Sequence, residues 1–181
     1  MIIVGKGAHA RQCAEILSDK EQRRGIGFWD EHELPFLISG YFIIGFGSLS
    51  DPQKRQDVFD RLEDAGGKPK TIIHPFAYVS PNARLGMGVQ IHAGAIVHNN
   101  AVIGTNCIIN TGAIVSHDCK LGKNVHLTPG ATLAGNVEIG DNSVIGMNAT
   151  IYMGVQLPSN TRVLNGRNVK ACKDGKLYYI L

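Results

Sequence analysis

Ile91-His92-Ala93-Gly94-Ala95-Ile96-Val97-His98-Asn99-Asn100-Ala101-Val102-Ile103 places a bulky aliphatic residue at its first, seventh and last positions. The same interval of six runs unbroken from Ile73 through Val79, Leu85, Ile91, Val97, Ile103, Ile109, Val115, Leu121, Leu127, Leu133, Ile139, Ile145, Ile151 and Leu157 to Val163. Four places after each stands a small or β-branched residue, such as Ala95, Ala101, Cys107, Ala113, Cys119 or Val125. A helix repeats every 3.6 residues and a lone strand every two, so neither gives a period of six. A coiled stack of short strands does, with each six-residue unit making one flat face and then a corner. Three faces close a triangular coil of about 18 residues, so the stretch makes roughly five coils. Gly86, Gly104, Asn106, Gly122, Asn124, Gly140 and Asn142 are read as the residues that turn the corners. From Ile73 to Thr161 only Arg84, Asp118, Lys120, Lys123, Glu138 and Asp141 are charged. Ile96, Val102, Ile108 and Ile114 each precede an interior position and point outward by the register. So apolar an exterior predicts an oligomer.

Outward from this prism, residues 1–72 read as a small α/β unit. Met1–Val4 is an apolar strand, followed by the turn Gly5-Lys6-Gly7-Ala8-His9-Ala10 and a helix over Arg11–Lys20. Gly5, Gly7 and Ala10 fit the GxGxxG/A spacing that sets a phosphate at a helix N-terminus. Gly27-Phe28-Trp29-Asp30-Glu31 ends a second strand with acidic residues at the distance where a ribose hydroxyl is held. Tyr41–Ile44 is a third strand ending at Gly45. Asp51–Ala65 is a helix with Val58 and Leu62 inward, and Thr71-Ile72-Ile73 is a last strand. The fold class is therefore a small Rossmann-like α/β unit over residues 1–72, a parallel β-helix over 73–165, and a basic tail over 166–181. That tail carries Arg167, Lys170, Lys173 and Lys176 against Asp174 alone.

The net charge of +3 is too small to argue for nucleic acid. The longest apolar run, Leu34 to Gly47, is too short for a membrane span and contains Pro and Gly. The chain starts directly on a strand with no signal-like segment, and a cytoplasmic location is the expectation. The four cysteines show no CxxC spacing, and Cys107 and Cys119 fall on small interior positions, which packing explains.

Residues 18 apart lie above one another in such a prism. One column is Asn99, His117, Gly135 and Met153; another is His74, His92, Asn110, Thr128 and Gly146; His126 stacks between Ile108 and Val144. His117 is followed by Asp118, has Gly135 one coil beyond, and has Asn110 close in sequence. An imidazole oriented by a carboxylate is what a general base requires. A glycine one coil away leaves an N–H and space for substrate. His74 and His92 share a column, but Asn110 breaks it, so no metal is expected.

At these residues the chain resembles the hexapeptide acetyltransferases that act on sialic acid or on nucleotide-linked 4-amino sugars. The GxGxHA start is similar to that family's GxGGHxxxV turn. Asn110-Thr111-Gly112-Ala113-Ile114-Val115-Ser116-His117-Asp118-Cys119 resembles its INTxxxxxHDC/HEC segment, and the run from Val125-His126-Leu127 through Gly135-Asn136-Val137 its HxxxGAxLAGNVxIG segment. The resemblance implies a left-handed β-helix, a homotrimer with sites between neighbouring prisms, and acetyl-CoA as co-substrate. It implies His117 as base and Asp118 as its orienting acid. It places Asn110 at the amine of a nucleotide-linked amino sugar, and Gly7, Ala8, His9, Asp30, Glu31 and Gly45 at the nucleotide. It places His126, Gly135, Gly146, Met147 and Arg167 at the coenzyme. Two departures stand out. The segment Gly166-Arg167-Asn168-Val169-Lys170 lacks the Pro of the family's GxPAK ending, and the turn carries Lys6 and Ala8. The rival readings are O-acetylation of sialic acid, a non-catalytic trimeric scaffold, and a carbonic-anhydrase-like metal trimer.

Overall fold

The structure is a computed structural model that describes residues 1–18, 21, 26–30, 39–47, 49–173 and 176–180. Glu31 lies outside the described residues. The α/β unit runs β1 (Ile2–Val4), α1 (Ala8–Ile16), β2 (Gly27–Trp29), β3 (Gly40–Ile44), α2 (Pro52–Asp64) and β4 (Gly67–Pro69). Its strands form a parallel sheet in the order β2-β1-β3-β4. The sequence reading put a strand at Thr71–Ile73 into this sheet. The structure instead uses Gly67–Pro69 as the fourth strand and gives Ile72–Ile73 to the prism as β5. A side chain at Gly67 would sit 2.7 Å from the Leu62 carbonyl and 2.8 Å from the Phe42 ring, so the chain can turn into the sheet only with glycine there. Helix α2 opens with Asp51, whose Oδ1 accepts from the Lys54 N–H, and with Pro52 in its first turn. It buries Arg55, Val58, Phe59 and Leu62, with Phe59 edge-on to Phe42.

From β5 onward two-residue strands recur every six residues, and each pairs in parallel with the strand 18 residues away. Three sheets result, one per prism face. Thus Ile96–Val97 (β9), Ile114–Val115 (β12), Thr132–Leu133 (β15) and Thr150–Ile151 (β18) share one face, and Gln90–Ile91 (β8), Ile108–Ile109 (β11), His126–Leu127 (β14) and Val144–Ile145 (β17) share another. The bulky residues from Ile91 to Val163 and the small apolar ones from Val89 to Val155 meet in one interior cluster. Each large aliphatic there is worth about 1.5–3 kcal/mol of burial. Ile73, the first in the count, stays 43% exposed because no coil lies below it. The rhythm does not end at Val163. Asn168–Lys173 (β21) pairs with β18, Val169 joins the interior, and Lys176–Ile180 (β22) folds back antiparallel on β21. Residues read as a tail therefore form a further strand and a hairpin.

The corner residues divide into two kinds. Left-handed φ recurs at every sixth position from Gly88 and Gly94 through Asn100, Asn106, Gly112, Asp118, Asn124, Gly130, Asn136, Asn142, Asn148, Gly154 and Asn160 to Gly166. Gly, Asn and Asp tolerate that conformation best. Gly86, Gly104, Gly122 and Gly140 are not among them. A side chain at Gly104 would lie 2.2 Å from the Gly122 carbonyl oxygen, so these glycines let successive coils approach. The sequence reading had given both kinds the same task.

The α/β unit docks on the face that carries β8, β11, β14 and β17. Asn106, Asn124 and Asn142 form a ladder, Asn106 Nδ2 to Asn124 Oδ1 (3.3 Å) and Asn124 Nδ2 to Asn142 Oδ1 (2.8 Å). The same amides donate to Gln56, the Pro52 carbonyl and Gln53 of α2. Arg162 donates to the carbonyls of Leu49 and Ser50. Ile108, read as outward and in need of a partner chain, is fully buried by this docking, whereas Val102 remains 39% exposed. Among the described residues no helix is long and apolar enough to cross a membrane.

Candidate functional site

His117 and Asp118 form the corner that follows β12. Asp118 takes φ 59, the left-handed slot that asparagine or glycine fills elsewhere. This conformation turns the carboxylate back onto the preceding side chain, and His117 Nδ1 lies 2.8 Å from Asp118 Oδ2. Asn100, one coil earlier, donates Nδ2 to Asp118 Oδ1 at 3.1 Å. The hydrogen bond from His117 and then that from Asn100 lower the Asp118 carboxyl below its ordinary value. With Nδ1 facing the carboxylate, Nε2 is the ring nitrogen available to another group. A side chain at Gly135 would lie 2.5 Å from His117 Cε1 and 2.6 Å from Nε2. The missing Cβ therefore makes room for the imidazole itself, where the sequence reading had imagined room for substrate. The ring stays open to solvent, with 48% of the His117 side chain exposed.

Asn110 and His126 lie elsewhere. Asn110 stands at the corner that precedes β12, so a whole strand separates it from His117 despite their closeness in sequence. Its Nδ2 lies 3.2 Å from His126 Nε2. His126 points outward from the prism, as its column requires, yet it is buried because Gly47 packs on its ring. Burial first, then the charge of Arg55 and the nearby His9 and His92, pushes its imidazole down to about 3. Val144, paired with His126, lines a groove of about 440 Å³ with Leu49, Thr128, Gly146, Arg162 and Arg167. Two of the residues expected at the coenzyme, Gly146 and Arg167, thus share one groove. Met147 follows at its rim, 47% exposed, with its N–H held by Asn165 Oδ1.

Of the residues expected at the nucleotide, Asp30 and Gly45 follow the C-terminal ends of β2 and β3, with Gly7 and Ala8 at the start of α1. Gly5 N–H donates to the Trp29 carbonyl beside Asp30, and Gly45 N–H donates to the Val4 carbonyl. A side chain at Gly45 would strike Ala10 and Ile3 at 2.7 and 2.8 Å, so α1 packs close against the sheet. Gly7 caps α1 with no side-chain hydrogen bond, and both it and Ala8 are exposed, which leaves the helix N-terminus facing solvent. His9 turns the other way. Its Nε2 meets Gln90 Oε1 at 2.9 Å across the seam, and its ring packs at 5.1 Å against His92.

Sequence reasoning missed Arg55, which is 1% exposed and donates Nη1 to the carbonyls of Ile44 and Phe46. Helical spacing could have found it, since Arg55 lies three, four and seven residues before Val58, Phe59 and Leu62 on one buried face. Gln90 was also missed. Its Nε2 donates to the Ile44 carbonyl at 2.7 Å, and no sequence signal marks it.

Family models described as the bacterial transferase hexapeptide (six repeats) match residues 100–135 and 118–152, and one described as the hexapeptide repeat of succinyl-transferase matches residues 136–169. No curated protein matches the chain. Among solved structures, the acetyltransferase domain of PglB from Neisseria gonorrhoeae is 27% identical with a TM-score of 0.82, covering 99% of this chain and 98% of that one. The same domain in complex with acetyl coenzyme A is similar at 26% identity, TM-score 0.75 and the same two coverages. A point mutant of perosamine N-acetyltransferase from Caulobacter crescentus, in complex with CoA and GDP-perosamine, is 28% identical with a TM-score of 0.80, covering 99% of this chain and 96% of that one.

Proposed function

We propose that this chain, a hexapeptide-repeat β-helix similar to nucleotide-amino-sugar acetyltransferases, moves acetyl from acetyl-CoA to the amino group of a nucleotide-linked amino sugar, and that it does so as a homotrimer. The relatives crystallised with acetyl-CoA, or with CoA and GDP-perosamine, support this choice of substrates. The observation that carries the chemistry is the His117–Asp118 pair, 2.8 Å apart, on an exposed corner.

A protonated amine has no lone pair, so a proton must leave before or during attack. His117 Nε2 takes it while Asp118 holds the ring and balances the imidazolium. The amine nitrogen bonds to the acetyl carbon and gives a second proton to solvent, the C–S bond breaks, and CoA leaves as the thiol when His117 passes the first proton to its sulfur. The attack is direct: Cys119 is buried inside the prism and bonds the Ala134 carbonyl. The Gly135 N–H is assigned to the developing oxyanion. His126, pushed down to about 3, is a poor base near neutrality, which supports His117 in that role. His126 and Asn110 are assigned to the thioester and the amine. Because Asn110 stands at the corner across β12 from His117, with His126 of β14 beside it, the complete site takes His117 from one chain and Asn110 from a neighbour. Gly146, Met147 and Arg167 are assigned to the coenzyme; Gly7, Ala8, Asp30 and Gly45 to the nucleotide.

Mixed trimers test this arrangement. His117→Ala should lower kcat by about 10²–10⁴, with acetyl-CoA still bound, and Asn110→Ala should be weak on its own. Co-assembled, the two variants should regain about a quarter of wild-type activity, because random assembly rebuilds that share of the shared sites. If the mixture stays as inactive as its parents, no site is shared between chains; if His117→Ala keeps normal kcat, His117 is not the base.

A further inference from the structure

The seam between the α/β unit and the prism holds a cluster that acyl transfer does not use. His9 and Cys13 lie one helical turn apart on the inner face of α1, and His92 projects from the corner after β8. One ligand atom from each, an imidazole nitrogen of His9 and of His92 and Cys13 Sγ, all lie within 4.8 Å of one another. Gln90 Oε1 completes the group, 2.9 Å from His9 Nε2 and 3.4 Å from Cys13 Sγ. Its direction is fixed, because the other end of the amide donates to the Ile44 carbonyl at 2.7 Å. His92 Nε2 is buried with no hydrogen-bond partner. Cys13 is fully buried and His92 is 2% exposed, while His9 is only partly covered and leaves one side open for entry.

We propose that His9, Cys13 and His92, with the Gln90 carbonyl oxygen as fourth donor, form a binding site for one divalent transition-metal ion of zinc type that ties the α/β unit to the prism. One thiolate and two imidazoles suit zinc or cobalt and exclude magnesium and calcium, which take oxygen. Zinc ligands at about 2.0–2.3 Å in a tetrahedron stand on the order of 3.3–3.8 Å apart, so the cluster must contract by about 1 Å. Burial keeps both imidazoles neutral well below neutral pH, His9 down to about 4 and His92 down to about 3, so ring nitrogen lone pairs are available. Burial pushes the Cys13 thiol up to about 12, so the ion must displace its proton: M²⁺ and Cys–SH give M²⁺–S–Cys and H⁺. The nearby Arg55 charge draws the thiol down and balances the thiolate, though it also opposes the cation. Affinity should therefore be moderate. The sequence reading set metal aside because Asn110 breaks the His74–His92 column; it could not see that α1 brings two further ligands to His92 from outside the prism.

Cobalt(II) titration of chelator-treated full-length protein tests the site without any activity measurement. The expected result is one ion per chain, with a thiolate-to-cobalt charge-transfer band in the near ultraviolet and a raised Tm. The band should vanish in Cys13→Ser and survive in Cys172→Ser, and His92→Gln should weaken binding by more than the roughly 10–100-fold that loss of an outer-shell partner costs. If Cys13→Ser fails to fold, wild-type protein alone decides by stoichiometry and band. No charge-transfer band, a band that survives Cys13→Ser, or less than one ion per several chains with Tm unmoved would overturn the proposal.

Discussion

Gly135→Ala isolates the geometry of the His117 corner without touching its chemistry. The new methyl would stand 2.5 Å from His117 Cε1 and 2.6 Å from Nε2. Carbon atoms rest about 3.5–4.0 Å apart, so the ring must move by about 1 Å. Moving it lengthens or bends the 2.8 Å contact with Asp118. A misplacement of about 1 Å at a reacting group can cost about 10² in rate, or about 2.7 kcal/mol of barrier. Stability should hold or rise slightly, because Gly135 is not among the left-handed positions and alanine there removes disorder from the unfolded chain. The assay is thiol release from acetyl-CoA with an amino-sugar nucleotide as acceptor, beside a melting curve. We expect kcat to fall by about 10², with KM for acetyl-CoA and Tm close to wild type. A kcat within about threefold of wild type would mean that the ring tolerates displacement and that its seat on Gly135 does not matter to catalysis.

Asp118 carries two burdens that substitution can separate. Asp118→Asn keeps the left-handed turn and an oxygen for Asn100, so Tm should hold while kcat falls by at least about tenfold, up to the roughly 10⁴ that loss of a buried orienting acid costs. Asp118→Ala should lose kcat similarly and also lose about 1 kcal/mol of stability from the unfavourable φ; equal Tm for the two variants would refute the backbone argument. Acid should loosen the seam. Burial lowers His9 to about 4 and His92 and His126 to about 3 in the folded chain. The unfolded chain gains three protons below about pH 6.5 that the folded chain refuses, so stability is full above that pH and falls as pH drops toward 4. Each imidazole costs about 1.4 kcal/mol per pH unit across that window. Urea midpoints of chelator-treated protein at pH 7 and pH 5 measure this, and a flat profile would show that the seam does not exclude the protons.

The prism was legible because a single steric demand, a bulky residue facing inward once per face, repeats with no insertion from Ile73 onward. The corner glycines were misread because one residue type answers two demands. Glycine supplies a left-handed φ at Gly112 and Gly130, and it lets backbones touch at Gly104 and Gly122. Only the phase within the hexad tells them apart. That phase also singles out Asp118, the one acid in a series otherwise Gly or Asn. What sequence could not supply is the seam. Whether an outward residue such as His126 or Ile108 meets water depends on where α2 lands, and that is settled by contacts far apart in the chain, Asn124 to Pro52 and Arg162 to Ser50.

The same reasoning explains why closeness in sequence does not bring Asn110 to His117 within one chain. Seven residues in a helix span two turns and return to one side. Seven residues in a hexad prism cross a face and reach the next corner, so nearness in sequence there means separation in space. Neighbours in a prism are found 18 residues away, as Asn100 is to Asp118 and Gly135 to His117. A corner assembled in this way comes only from its own column, which gives His117 an orienting acid and a seat but no partner for the substrate. In the proposed site the second group is Asn110, which within one chain stands a full strand, β12, away from His117, and this separation is why it is drawn from a second prism.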